Sequence, residues 1–151
     1  MRAVIQRVSR AEVRVDGEAV ASIDRGLVVL VGVATGDSGS DALALGTKVA
    51  ALRVFTDAAG KMNLSVGEVG GGVIVVSQFT LLADLRRGRR PSFTGAADPD
   101  IAARLVETVA GCIADAGIAV QTGRFGEHME VDLVNDGPVT IVLDVVDGAV
   151  R

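Results

Sequence analysis

The chain has 151 residues, 49% of them hydrophobic, yet it contains no Trp, no Tyr and only four Phe. A length near that of one domain is enough to bury a core, which must be built from Val, Leu, Ile and Ala. The net charge of −4 argues against broad, non-specific attraction to nucleic acid. Apolar runs such as 26–33 are too short to cross a bilayer. The opening MRAVIQRVSRAEV alternates charge with β-branched residues where a signal peptide would carry an apolar block, so a soluble cytoplasmic protein is expected. The one cysteine, Cys112, cannot form an intrachain disulfide, which fits a reducing compartment.

In chain order, Ala11, Val13 and Val15 alternate with Glu12, Arg14 and Asp16, the period of a strand with one wet face, and Asp16-Gly17 turns it. Residues 18–23 and 26–33 read as two more strands joined at Asp24-Arg25, giving an antiparallel meander. The run LVVLVGV has no polar face and is expected to be a central strand. Ser40 is the expected N-cap of a helix from Asp41 to about Leu52, with Leu43, Thr47, Ala50 and Ala51 near one face. Residues 53–56 form a short strand returning to the sheet, 57–60 a turn, and 61–64 follow.

Glycines 67, 70, 71 and 72 mark a loop. No Gly-Lys-Ser/Thr follows, and residues 73–76 read as a strand, so neither a phosphate-binding P-loop nor a dinucleotide fingerprint is present. Over 98–116 the residues Ile101, Leu105, Val109 and Ile113 recur every fourth position, with Asp98 as N-cap, Pro99 at N1 and Gly117 just past the end. Cys112 lies beside this stripe and reads as a buried structural thiol. Residues 118–122 and 127–134 return to strand. The stretch 131–146, VDLVNDGPVTIVLDVV, reads as two strands around a turn at Asn135-Asp136-Gly137-Pro138. That turn is either an ordinary connection or a fixed, exposed pose with a cis Gly-Pro bond, since a tertiary amide cuts the trans preference to about 0.5–1 kcal/mol.

Candidate chemistry is sparse. His128, the sole histidine, sits beside Glu127, which excludes a histidine metal cluster and disfavours a histidine-dependent triad. The two lysines, Lys48 and Lys61, are remote in sequence from the other polar candidates. At Ser77-Gln78-Phe79-Thr80-Leu81 the chain leaves the sheet. Either the hydroxyls satisfy the turn, or unpaired N–H groups there form an oxyanion hole. Thirteen of the fifteen basic residues are Arg, and Arg86, Arg87, Arg89 and Arg90 crowd into one loop ended by Pro91. That loop is either a solvated tip or a contact for phosphate, which arginine forks bind bidentately.

Ser77-Gln78-Phe79-Thr80-Leu81 and Asn135-Asp136-Gly137-Pro138-Val139-Thr140 together resemble the two signature motifs of the D-aminoacyl-tRNA deacylases. RAVIQRVSRAEV, FTDAAGKMNL, RRPSF and QTGRF also stand where that family has similar runs, so the likeness covers nearly the whole chain. Val139, where Phe also occurs in the family, and the doubled Arg86-Arg87 depart from the pattern outside the core of either motif.

The resemblance implies an α/β protein of α+β-like character. A single domain over 1–151 carries a mostly antiparallel sheet, which closes in a homodimer into a β-barrel-like assembly with helices outside. It implies a pocket shared by two chains, with Ser77, Gln78, Phe79 and Thr80 of one lining the acyl site and a cis Gly137-Pro138 of the other excluding L-amino acids. The implied reaction is hydrolysis of D-aminoacyl-tRNA, and of glycyl-tRNA mischarged on tRNA(Ala). Phe79 and Thr80 N–H groups would hold the oxyanion and the tRNA 2′-hydroxyl would assist, with no metal, cofactor or membrane. Arg86, Arg87, Arg89 and Arg90 would meet tRNA phosphates. Two other readings stand beside it: a small ester or thioester hydrolase with Thr80 as nucleophile, and a non-enzymatic RNA-binding β module.

Overall fold

In the computed structural model, which describes residues 1–86 and 88–151, the alternating N-terminal stretch becomes β1 (Arg2–Val15), and the sheet is laid around it. β2 (Glu18–Ile23) and β3 (Gly26–Gly32) both pair antiparallel with β1, end to end along one edge. β3 takes Arg2 to Val8, and β2 takes Ala11 to Val15. The expected meander is therefore corrected: β2 and β3 share β1 because its fourteen residues outrun their six and seven.

The helix that follows, α1 (Gly39–Ala51), begins two residues earlier than the sequence suggested. Ser38, not Ser40, is its N-cap. Asp41 decides this, because its carboxylate accepts from the Ser38 N–H and Oγ–H, each at 2.8 Å. The same carboxylate accepts from the Gly148 N–H at 2.8 Å, and these bonds, Gly148 first, hold the buried acid below its usual range. The inward face is Ala42, Leu45, Gly46 and Val49. The expected face is wrong, with Leu43, Thr47 and Ala51 exposed.

Residues expected to rejoin the sheet instead make a separate ribbon, β4 (Phe55–Thr56) with β5 (Met62–Leu64). β6 (Gly72–Ser77) then lies parallel to β3. α2 (Pro99–Asp115) has the expected Asp98 cap and Pro99 start. Its buried residues are Val106, Val109, Ala110 and Ile113. Ile101 is exposed, because a strict four-residue spacing drifts around a helix of 3.6 residues per turn. β7 (Ala119–Thr122) adds to β6 in parallel.

β8 (Glu130–Val146) runs antiparallel along the other edge of β1, and β9 (Ala149–Val150) folds back on its end. The sheet order is β7-β6-β3-β1-β8-β9, with β2 also on β1. The sheet curls until β2 approaches β7. There the Gln121 side chain accepts from the Ser22 N–H at 2.8 Å and donates to the Ser22 carbonyl at 2.6 Å, acting as a missing strand rung.

LVVLVGV is a central strand, as expected, with both faces covered. Leu27, Val29 and Val31 join the larger core under α1 and α2, while Val28 joins Val8, Val13, Ile74 and Val76 on the opposite face. The helices meet closely where a Cβ on Gly46 would lie 2.7 Å from Cys112 Cβ. Cys112 is half-buried in that seam, 3.5 Å from Thr47 Oγ1. Among the described residues no helix is long and apolar enough to cross a membrane.

Candidate active site

β3, β6 and β7 run parallel, so their carboxyl ends face the same way, and α2 starts beside them. Open sheets bind ligands outside such ends. Here the space is a cleft of about 360 Å³. Val31 and Val33 form its floor, Ser77, Gln78 and Phe79 one wall, Pro99, Ala102 and Val106 of α2 another, and Phe93 and Phe125 its remaining sides. Three of the chain's four phenylalanines thus serve the cleft instead of the core, and Phe79 meets Phe93 edge to face at 5.0 Å. Phe93 and Phe125 were missed as site residues. Their signal was that an aromatic-poor chain places them within RRPSF and QTGRF.

The polar wall is built by a sharp exit from the sheet. The Gln78 N–H makes a last rung to the Val31 carbonyl at 2.7 Å, after which residues Phe79–Leu82 wind into one 3₁₀ turn. That turn seats directly on β3. A Cβ on Gly32 would lie 3.0 Å from the Gln78 carbonyl oxygen and 3.2 Å from Leu81 Cβ, so glycine lets the two backbones approach. Inside the turn Leu81 N–H reaches the Gln78 carbonyl and Ala83 N–H that of Thr80. The N–H groups of Phe79 and Thr80 have no acceptor among the described residues. Ser77, Gln78 and Phe79 line the cleft; Thr80 follows, exposed, with the Gln78 side-chain amide donating to its hydroxyl.

Asn135 to Pro138 do not form a turn between two strands, as the sequence suggested. β8 is one strand, and these residues bulge from it: Gln6 pairs with Thr140 and Val8 with Asn135, so Asp136, Gly137, Pro138 and Val139 all stand opposite Arg7. A hairpin is impossible because both flanking halves of β8 pair with the same strand. The Gly137-Pro138 bond is cis, as expected. Asn135 ties the base of the bulge, accepting from the Val139 N–H at 2.8 Å and donating to the Val139 carbonyl at 3.1 Å and to the Gln6 side chain. Gly137 and Pro138 lie outside the lining of this cleft.

Arg7 holds the bulge from behind. It is buried, donating from Nε to the Asp136 carbonyl at 2.8 Å and from Nη1 to the Val54 carbonyl at 2.5 Å. The sequence signal was an arginine continuing the inward positions of Ala3 and Ile5. Arg7→Ala should destabilise the protein by about 3 kcal/mol, because it strands two carbonyls at roughly 1–3 kcal/mol each. A urea melt measures this, and a loss under about 1 kcal/mol would mean that water or neighbouring donors replace the guanidinium.

The arginine loop is pinched at its base by paired backbone bonds between Asp84 and Ser92, at 2.8 and 3.1 Å. Arg86 forks onto Asp84 at 2.9 and 2.7 Å and, with its backbone N–H, holds that carboxyl down to about 2. Arg89 and Arg90 are exposed; Arg87 lies outside the described residues. His128 is exposed just before β8, whose first residue is Glu130 and not Glu127 as expected.

Residues 4–144 match the family model described as D-Tyr-tRNA(Tyr) deacylase. A protein of Anaeromyxobacter dehalogenans (strain 2CP-C) named D-aminoacyl-tRNA deacylase is 61% identical over 144 residues, which are 95% of this chain and 97% of that one. One of the same name from Roseiflexus sp. (strain RS-1) is 57% identical over 95% of this chain and 93% of its own. Among solved structures, one titled c-Myc DNA Unwinding Element Binding Protein superposes with a TM-score of 0.89 at 35% identity, over 97% of this chain and 99% of that one.

Proposed function

The chain belongs to the D-Tyr-tRNA(Tyr) deacylase family, and from that membership we propose that it hydrolyses the ester joining a D-amino acid to the terminal ribose of tRNA. The observation that carries this reading is the pair of N–H groups at Phe79 and Thr80, without acceptors among the described residues, beside an apolar cleft. Water adds to the ester carbonyl carbon and the carbonyl electron pair moves onto oxygen. Those two donors stabilise the resulting oxyanion. Collapse breaks the bond to the ribose oxygen, which takes a proton, releasing the amino acid and intact tRNA. The 2′-hydroxyl beside the ester positions the water. No cofactor or metal takes part.

The domain spans 1–151 and works in the cytoplasm as a homodimer whose sheets close into a barrel-like assembly. The placing of Gly137 and Pro138 away from their own cleft supports a pocket completed by a second copy, whose bulge reaches across the two-fold; isologous pairing then gives two equal sites. The bulge occupies the direction an L side chain would take, so selectivity arises by exclusion. Glycine has no side chain to exclude, and glycyl-tRNA mischarged on tRNA(Ala) is also cleaved.

Deacylation of D- and L-tyrosyl-tRNA tests the reading. The D ester should be cleaved and the L ester spared, and a small D-tyrosine ester should turn over poorly. Equal cleavage of both tRNA esters, or of the small ester and the tRNA ester, would overturn it.

Arg86, Arg87, Arg89 and Arg90 bind tRNA phosphates, Arg86 once it leaves Asp84. Replacing any one of them with Ala should flatten the slope of log affinity against log salt by roughly 0.7–0.9. The rate at saturating tRNA should hold, because phosphate binding of this kind stabilises ground and transition states alike. A slope unchanged in the fourfold variant would make the loop a solvated tip.

A further inference from the structure

A second, smaller cleft of about 120 Å³ adjoins the first, and the two share Ser77, Val106 and Phe125 as a common wall. Its far side differs in chemistry. Glu107 of α2 and Thr122, at the end of β7, line it beside Val75 and Ala103, so it carries a carboxylate, which the main cleft lacks. Arg104 lies one turn before Glu107, and Arg124 precedes Phe125. Both arginines are exposed, and neither enters an ion pair among the described residues.

We propose that this second cleft is the subsite for the penultimate nucleotide of the tRNA, the cytidine that precedes the terminal adenosine in every mature tRNA. This rests on the deacylase reading above. A strand whose aminoacylated end lies at Ser77 must leave the main cleft, and the space across the shared wall receives its next residue. Phe125 offers a ring on which an unstacked base can lie. Glu107 supplies what a cytosine needs and a uracil repels: a carboxylate that accepts from the exocyclic amine. Arg104, one turn before Glu107, and Arg124, next to Phe125, are the exposed cations that would meet the connecting phosphates, which reconciles an acidic side chain with an anionic ligand.

The test uses full-length protein and two D-tyrosyl-tRNAs that differ only in cytidine or uridine at the penultimate position, compared by kcat/KM in single turnover. The wild type should favour cytidine by about tenfold, Glu107→Ala should bring the two within about twofold, and Glu107→Gln, whose amide can donate to the uracil carbonyl, should raise uridine relative to cytidine. Thermal melts verify folding, which the exposure of Glu107 favours. The subsite is overturned if the wild type cleaves both alike, or if the preference survives in Glu107→Ala. It is also overturned if that variant slows both substrates equally, as a carboxylate gripping the amino acid's ammonium would. Failure of the wild type on the cytidine substrate itself sinks the deacylase reading, and the subsite with it.

Discussion

A D-aminoacyl-tRNA ending in 2′-deoxyadenosine should be nearly inert with this protein, its rate down on the order of 10²–10⁴-fold, the usual worth of a positioned acid-base group. Thr80→Ala, in contrast, should stay within about tenfold of the wild type, a barrier change of about 1.4 kcal/mol. The asymmetry follows from the surroundings of Thr80. Its hydroxyl touches one side chain among the described residues, the amide of Gln78. Whichever end of an amide faces a hydroxyl, it cannot take the proton that a threonine nucleophile must lose. The sole histidine is exposed just before β8, away from the lining of the cleft. What the turn provides is electrophilic: N–H groups at Phe79 and Thr80 that survive truncation of the Thr80 side chain. A competent 2′-deoxy substrate, or an acyl group trapped on Thr80 and seen by mass spectrometry, would return the reaction to covalent catalysis.

The parts of this architecture legible in the sequence are those fixed by local chemistry. Asp98-Pro99 opening α2, the exit of the chain from the sheet at Ser77, and the doubly buried β3 each follow from residues close together in the chain. The larger errors come from contacts between segments distant in the chain, whereas Ile101 was misplaced by the drift of a four-residue spacing around the helix. Asn135-Asp136-Gly137-Pro138 has the composition of a turn, and only the continuation of the β1 ladder on both sides of it, from Gln6 with Thr140 to Val8 with Asn135, makes it a bulge. Ser38 caps α1 in place of the expected Ser40 because Asp41, three residues on, accepts from its N–H and hydroxyl in a capping box that the sequence carried and that was missed. The same carboxylate is held by Gly148 from the far end of the chain. Leu43 looked like a core residue on periodicity, but the approach of α2 at Gly46 and Cys112 turns α1 so that Ala42, Leu45 and Val49 face inward. Phe93 and Phe125 come from segments distant in sequence and line one cleft only because the fold brings those segments to the same end of the sheet. The cleft was therefore half visible: its polar wall was readable, its aromatic sides were not.

Gly137→Ala should lower D-tyrosyl-tRNA deacylation on the order of 100-fold, the cost of displacing a positioning group by about 1 Å, and should weaken the rejection of L-tyrosyl-tRNA. A Cβ at this position would lie 2.3 Å from the Val139 backbone nitrogen and 2.7 Å from Val139 Cγ2. Neither neighbour can simply yield. Val139 N–H is held by Asn135 at 2.8 Å, and the Asp136 carbonyl by Arg7 at 2.8 Å, so the added carbon must force the bulge open between its two anchors. If that bulge is the surface an L side chain would strike, its displacement widens the space on the L side while spoiling the fit that admits the D substrate. The two rates should therefore converge. Pairing the change with Val139→Gly separates the causes: it removes the Cγ2 clash but leaves the backbone nitrogen at 2.3 Å, so the double variant should not recover. Recovery would place the fault in side-chain crowding alone. The wild type should in addition cleave glycyl-tRNA, which offers the bulge nothing to strike, and a wild type that spares glycyl-tRNA while cleaving D-tyrosyl-tRNA would show that the pocket recognises the D side chain by direct binding instead of excluding the L one.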